Sequence, residues 1–216
     1  MFAAPGAFGV GLTYFCLRLV WAFLEVFVST YADPNKAYVW QDGDAFRAPA
    51  GTAVPTNPFA PVLVTGTAPG VTWDAFGGIE AGFEQNPSQD TKELPIWNYR
   101  QSSYKIARGP RSDRLKLKPV DYSKATVLTL LQGGEIVTTG TAPNEVHKWV
   151  IGDSEEFAIL LRLEDEDDKQ VLYCERATLF TPPPRSLGGD KIDGFEMELL
   201  ALAPVQLLTS SNPLVP

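Results

Sequence analysis

The feature that most constrains the fold is the stretch of residues 79–134, in which short strand-like segments surround one helix-like segment. Ile79, Ala81 and Phe83 alternate with polar or small residues, and this period of two is typical of a strand with one buried face. A chain that changes pattern this often forms many short elements. The stretch therefore predicts a β-rich domain.

Residues 86–100 interrupt the alternation with a long polar segment that ends in apolar and aromatic side chains. Pro87 and Pro95 favour irregular backbone, so the sequence predicts a loop of about fifteen residues. A loop of that length inside a compact domain usually has a function. We expect it to be mobile in the free subunit and ordered only after assembly.

Residues 103–118 resume the alternation, with basic residues on the exposed side. Gly109-Pro110 and Ser112-Asp113 lie between two apolar runs, which predicts a hairpin whose turn is near residues 109–113.

Residues 121–134 predict a helix of about three turns. Asp121 or Ser123 offers an N-cap oxygen, and Gly133 suits the left-handed position that follows a last helical turn.

Alternating segments return after the predicted helix and are separated by turn-rich pieces. With 18 Gly and 18 Pro in 216 residues, they predict a small β-sandwich or barrel with one short helix. The predicted strands are residues 135–141, 146–151, 157–163, 170–179 and 195–203.

The order of these parts resembles the major tail proteins that build the tail tube of long-tailed, non-contractile phages of actinobacteria. The resemblance rests on the segment WDAFGGI at residues 73–79, the PIW at residues 95–97, the basic pair of strands, and the helix that ends in LQGG at residues 131–134. It covers residues 57–204, and it is one of layout more than of invariant residues.

The resemblance implies a small β-sandwich of the tail-tube type, rings of six copies, and stacking of the rings through the long loop. It also implies that the partners are further copies of the chain, the tape measure protein and the tail terminator and tip proteins. DNA would pass through the tube without specific binding. The candidate docking residues of the loop and its basic neighbours are Leu94, Ile96, Trp97, Tyr99, Arg100, Arg108 and Arg111.

Charge is unevenly distributed along the chain. Residues 100–118 contain seven basic residues and one acid, and the remaining residues carry −14, against −8 for the whole chain. Opposite patches on neighbouring copies would fix the register of a polymer, although alternating basic residues also solvate ordinary exposed strands. A sequence pI of about 4.7 argues against tight binding of DNA.

An acidic lumen would let DNA slide, because it would not attract phosphates. Acidic residues that alternate with apolar ones could face such a lumen or the outer solvent, since alternation does not say which water a face meets. These lumen candidates are Glu80, Glu84, Glu196 and Glu198.

The N-terminal region divides into two expected parts, residues 1–27 and an arm of residues 28–69, ahead of the β domain at residues 70–216. Residues 9–28 are almost continuously apolar, but positive charge is missing before this run and Arg18 and Glu25 interrupt it. These features fit neither a signal peptide nor a membrane helix well. We expect residues 1–27 to be a mis-assigned upstream extension, with synthesis starting at Val28 in the host cytoplasm and no membrane association.

Other function classes fit less well. The sole histidine, His147, and two separated cysteines, Cys16 and Cys174, predict no catalytic, cofactor or metal site and no disulfide framework. An enzyme or ligand-binding module is therefore the weakest alternative. The acidic run at residues 164–168 lacks the glycine of a calcium loop and predicts a solvated turn. Another structural virion protein, such as a capsid decoration or head–tail completion protein, remains the main alternative.

Overall fold

The computed structural model describes residues 37–99, 101–185, 187–190 and 192–212, with the side chain of Ala81 excepted. The expected upstream extension of residues 1–27, Cys16 and Arg100 lie outside these residues. Trp40–Pro216 forms one compact unit, and all the elements below belong to it.

The described residues form twelve strands and one helix, with six of the strands after the helix. In chain order the elements are β1 (Asp42–Pro49), β2 (Val64–Thr65), β3 (Val71–Thr72), β4 (Asp74–Ala75), β5 (Ile79–Leu94), β6 (Lys105–Pro119), α1 (Lys124–Leu131), β7 (Glu135–Thr139), β8 (Val146–Val150), β9 (Glu156–Asp165), β10 (Asp168–Leu179), β11 (Met197–Ala201) and β12 (Gln206–Thr209).

Eight of the strands form one antiparallel sheet, in the order β4-β1-β9-β10-β11-β6-β5, and β12 pairs with the part of β10 that β11 leaves uncovered. The sheet curls into half a barrel. Strands β2 and β3 form one separate pair, and β7 and β8 form another. The prediction of a mainly β fold with one short helix is confirmed, and the main sheet is a half-barrel.

The central strands are buried on both faces. Along β9, Phe157, Ile159 and Leu161 enter an inner cluster with α1, β6 and β11, whereas Ala158 and Leu160 enter an outer cluster with residues from β1, β3–β4 and β10. This explains why β9 is a continuous apolar run, which is the pattern of a strand covered on both sides.

The WDAFGGI segment joins the two clusters to the start of β5. Trp73 lies in the outer cluster, where its ring meets that of Tyr173 edge-on and its Nε1 donates to Thr65 Oγ1 at 3.0 Å. Phe76 is completely buried in the inner cluster. Gly77 then has a φ of 82°, and a Cβ there would lie 2.5 Å from an Asp121 carboxylate oxygen, so this position requires glycine.

The helix α1 is shorter than predicted but capped as predicted. Ser123 is its N-cap, and the Ser123 hydroxyl oxygen accepts from the backbone N–H of Thr126 at 3.2 Å. The left-handed positions at the C-terminus are Gln132 and Gly133, with φ values of 49° and 81°. The chain leaves the helix early because Gly134 and Gly152 both donate to the carbonyl of Leu131.

The predicted loop of residues 86–100 is wrong for most of its length. Residues 86–94 continue β5 and pair with residues 105–114 of β6, with one irregularity between Gln89 and Thr91. The predicted turn at residues 109–113 is also wrong, because β6 runs through it as one strand. Among the described residues of this hairpin, the turn lies within 95–99 and 101–104.

The expected N-terminal arm of residues 28–69 contains a core strand. Strand β1 pairs along its whole length with β9, and Ala45 is buried in the inner cluster. Gly43 allows a close approach of β1 to β5, because a Cβ there would lie 2.9 Å from the ring of Phe83. The compact unit therefore begins well before residue 70.

Candidate assembly surfaces

The distal halves of β5 and β6 form a two-stranded hairpin, residues 86–114, which we call the β5–β6 arm. All described residues from Asn86 to Ile106 are exposed except Ser103, whichever face of the hairpin they lie on. Nine residues of β5, from Asn86 to Leu94, extend the arm by roughly 27 Å at the ordinary rise of a strand. The arm therefore projects from the half-barrel without a covering layer.

The tip of the arm concentrates large apolar and aromatic side chains. Trp97 is 86% exposed, and the rings of Tyr99 and Tyr104 meet edge-on at 5.9 Å. A backbone bond from Tyr99 to the Ile96 carbonyl closes the turn. The tip thus holds together four of the predicted docking residues, which are Leu94, Ile96, Trp97 and Tyr99.

The basic docking candidates have different environments along the arm. Arg108 lies exposed near the tip, opposite Thr91. Arg111 lies at the base, where its guanidinium contacts the buried carboxylate of Asp113 at 2.9 Å. Arg108 is thus available to a partner, whereas Arg111 already neutralises an acid of its own chain.

The four acidic lumen candidates come together along one open groove of about 490 Å³, which we call the charged groove. It lies on the solvent face of β5, β6 and β11, opposite the inner cluster. Each strand contributes one sign of charge, because the acids lie on either side of a basic β6. The groove is lined by Glu80, Glu84, Lys116, Lys118, Glu196 and Glu198.

Cross-strand ion pairs neutralise much of this acidity. Lys118 Nζ lies 2.7 Å from Glu80, and this hydrogen bond raises the pKa of Lys118. Lys116 Nζ lies 3.4 Å from Glu84. At one end of the groove, Arg114 contacts Glu198 at 2.9 Å. The groove is therefore a mixed surface with a small negative excess.

The sequence predicts β7 and β8 as strands of the sandwich, but they form a second hairpin that is separate from the main sheet. All ten strand residues of this β7–β8 ribbon, residues 135–150, are exposed. Its large apolar side chains occupy both faces, since Ile136 pairs with Trp149 and the neighbouring Val137 points to the other face. The signal in the sequence was a run of apolar residues without alternation, which also fits a strand buried on both sides.

Comparison with protein-family models finds no match, and comparison with curated proteins finds none either. Among the described residues, no helix is both long enough and apolar enough to cross a membrane. In the same part of the chain, no three or more His, Cys, Asp or Glu side chains are placed so that they could hold a metal ion.

Proposed function

We propose that this chain is a structural virion protein whose copies stack as six-membered rings to form the tail tube of a long-tailed phage. Synthesis in the bacterial cytoplasm and incorporation into the virion tail follow from that role. The observation that carries the proposal is the β5–β6 arm, an uncovered hairpin with an apolar tip.

An uncovered arm of this kind is costly for a monomer. A hairpin of two strands alone is at best marginally stable in water, and apolar side chains at its tip gain little while they face solvent. Burying a large apolar side chain completely contributes about 1.5–3 kcal/mol. Contact with another copy would therefore stabilise the arm as well as join the subunits.

The edge of the main sheet also favours assembly. Strand β5 is the last strand on its side and presents a long edge to solvent. Such edges invite pairing with another chain unless something blunts them. Pro87 removes one donor from this edge, and the remaining backbone groups are suited to a neighbouring subunit.

The charged groove fits a surface past which DNA slides. Its lysines are paired with glutamates, so they offer phosphates no continuous basic surface. Its small negative excess also disfavours phosphate binding. DNA therefore passes without specific binding, both if the groove faces the lumen and if it lies close to the lumen.

Negative-stain electron microscopy of the purified chain tests the proposal. We expect tubes with a regular axial repeat from the wild type. A variant in which Asn-Gly replaces residues 92–107 joins Thr91 to its cross-strand partner Arg108 and keeps the base of the arm, where Gln89 Nε2 donates to the Gly109 carbonyl at 2.9 Å. This variant should remain folded and form monomers or single rings.

Tubes of ordinary length from the truncated variant would show that the arm is not the stacking element. Wild-type particles that bind capsids, or that form only a single ring at a head–tail junction, would favour a decoration or completion protein instead. Circular dichroism of both proteins is the control for folding.

A further inference from the structure

The β7–β8 ribbon is a second uncovered surface, and the proposed role of the arm does not involve it. Its exposed apolar side chains include Ile136, Trp149 and Val150, and the adjoining Ile151 is also exposed. Surface patches of this kind in a folded protein mark contacts with another macromolecule. The ribbon carries them on both faces, so packing against its own domain does not account for them.

The base of the ribbon is held firmly by the helix. Both Gly134, before β7, and Gly152, after β8, donate to the carbonyl of Leu131, at 2.9 and 2.8 Å. A Cβ on Gly134 would lie 1.9 Å from the Val150 carbonyl oxygen, and one on Gly152 would lie 2.4 Å from that of Gln132. The two ends of the ribbon are therefore packed backbone to backbone, and the ribbon leaves the domain in a fixed direction.

Charge indicates which partner fits the ribbon. The ribbon, residues 135–150, contains two acids, Glu135 and Glu145, and one base, Lys148, which gives a net charge of −1. The β5–β6 arm has the opposite sign, with a net charge of +3 over residues 86–114. Apolar side chains accompany the charge on both surfaces, and within one copy both remain uncovered. Complementary charge brings such surfaces together and suppresses contacts between like ones.

We propose that the tip of the β5–β6 arm of one copy docks on the β7–β8 ribbon of a second copy. This inference rests on the proposed function, and it names the surface that receives the arm. The contact joins two different patches, so each copy offers one donor and one acceptor surface and growth continues from copy to copy. Arm-to-arm and ribbon-to-ribbon contacts place like charges together and do not propagate.

Two variants, each altered in one of the two surfaces, test this contact. Trp97→Glu removes the apolar tip of the arm and Trp149→Glu removes the largest apolar side chain of the ribbon. Trp97 is 86% exposed, so Trp97→Glu should keep the urea midpoint of the wild type, whereas Trp149 is only 37% exposed, so Trp149→Glu should lower the midpoint and is used under conditions in which it remains folded. Leu187→Glu, at an exposed site outside both surfaces, is the matched control and should polymerise like the wild type. Each Trp variant alone should stay at the mass of its smallest unit in light scattering.

The mixture of the two Trp variants gives the decisive result. One intact arm and one intact ribbon remain, so we expect a complex of twice the mass of either variant alone, and no longer polymer. If the wild type polymerises but the mixture contains no such complex, the arm docks elsewhere and the inference is overturned while the proposed function stands. A wild type that never associates overturns both.

Discussion

At the scale of single residues, Ser123, which follows β6, holds the start of α1 against the inner cluster. Its hydroxyl caps α1, and the adjacent Thr126 hydroxyl donates to the Phe76 carbonyl at 3.3 Å inside the core. Thr126 is completely buried, so its hydroxyl needs this partner. The cap therefore fixes the helix on the WDAFGGI segment as well as satisfying the first turn.

We expect Ser123→Ala to lower the free energy of unfolding by about 0.5–2 kcal/mol, the usual cost of losing an N-cap oxygen. Ser123→Asn, which keeps a capping oxygen, is the matched control and should lie close to the wild type. Urea unfolding at pH 7 measures both. An alanine variant as stable as the asparagine variant would show that the cap contributes nothing here.

A surface cluster ties the loop before β11 to the start of α1. The Tyr122 hydroxyl donates to Asp193 at 2.7 Å, and the Arg185 guanidinium contacts the same carboxylate and lies 4.8 Å from the Phe195 ring centre. The Arg185 guanidinium, followed by the Tyr122 hydroxyl, lowers the pKa of Asp193 below 3.8. The same hydrogen bond to Asp193 raises the pKa of Tyr122.

The direction of the Asp193 shift predicts a pH dependence. A carboxyl whose pKa is lower in the folded state contributes stability above its unfolded pKa, and loses it as pH falls through the folded pKa. Asp193→Asn should therefore differ most from the wild type at pH 7, and the difference should begin to shrink as pH falls below about 3.8 and vanish only below the lower folded pKa. Urea midpoints at pH 7 and pH 3 measure this. A constant difference between the proteins would contradict it.

At the scale of elements, the β5–β6 arm shows why an exposed hairpin is hard to predict. Alternation arises when one face is buried, and the arm buries neither face, so the polar residues around Pro87 and the Gly109-Pro110 pair suggested turns. Cross-strand pairing forms nevertheless. An edge strand such as β5 tolerates a proline, and the irregularity between Gln89 and Thr91 takes up the residues that have no cross-strand partner.

The charge on the arm should make assembly sensitive to salt. Lys105→Glu with Arg108→Glu should slow polymerisation most at low ionic strength, and the difference should shrink as salt rises, because exposed charges are screened over about 8 Å near physiological salt. Lys105→Arg with Arg108→Lys keeps the charge and is the control. Arg111 is left intact, because reversing it would oppose the buried Asp113.

Sedimentation across a salt series measures this effect. Equal pelleting of the reversed and control proteins at every salt concentration would show that electrostatic attraction does not drive assembly. The arm would then contribute mainly through its apolar tip.

At the scale of the whole molecule, the central strands connect two apolar layers. Leu160 and Leu161 are neighbours on β9 and are both completely buried, but one faces the outer cluster and the other the inner cluster. Unfolding in one cooperative transition requires both clusters, because the outer cluster also packs β1 and the segment before β4 against the sheet.

Leu160→Ala and Leu161→Ala should each lower the free energy of unfolding by about 2–5 kcal/mol, the usual cost of truncating a buried leucine. Fluorescence and circular dichroism should report one transition for both variants. A Leu160→Ala protein whose tryptophan fluorescence changes at lower urea than its circular dichroism would show that the outer layer unfolds separately.

The sequence by itself determined the elements that have one buried face or a local signal. The start of β5, the Ser123 cap and the glycines after α1 follow from alternation, hydrogen-bonding side chains and backbone freedom, which neighbouring residues express. Only the tertiary structure decided which strands share a sheet. It placed β1 in the core, separated the β7–β8 ribbon from the half-barrel, and grouped Glu80, Glu84, Glu196 and Glu198 in one groove. These outcomes depend on pairings between residues far apart in the chain, and a local pattern cannot distinguish an apolar strand covered on both faces from one exposed on both.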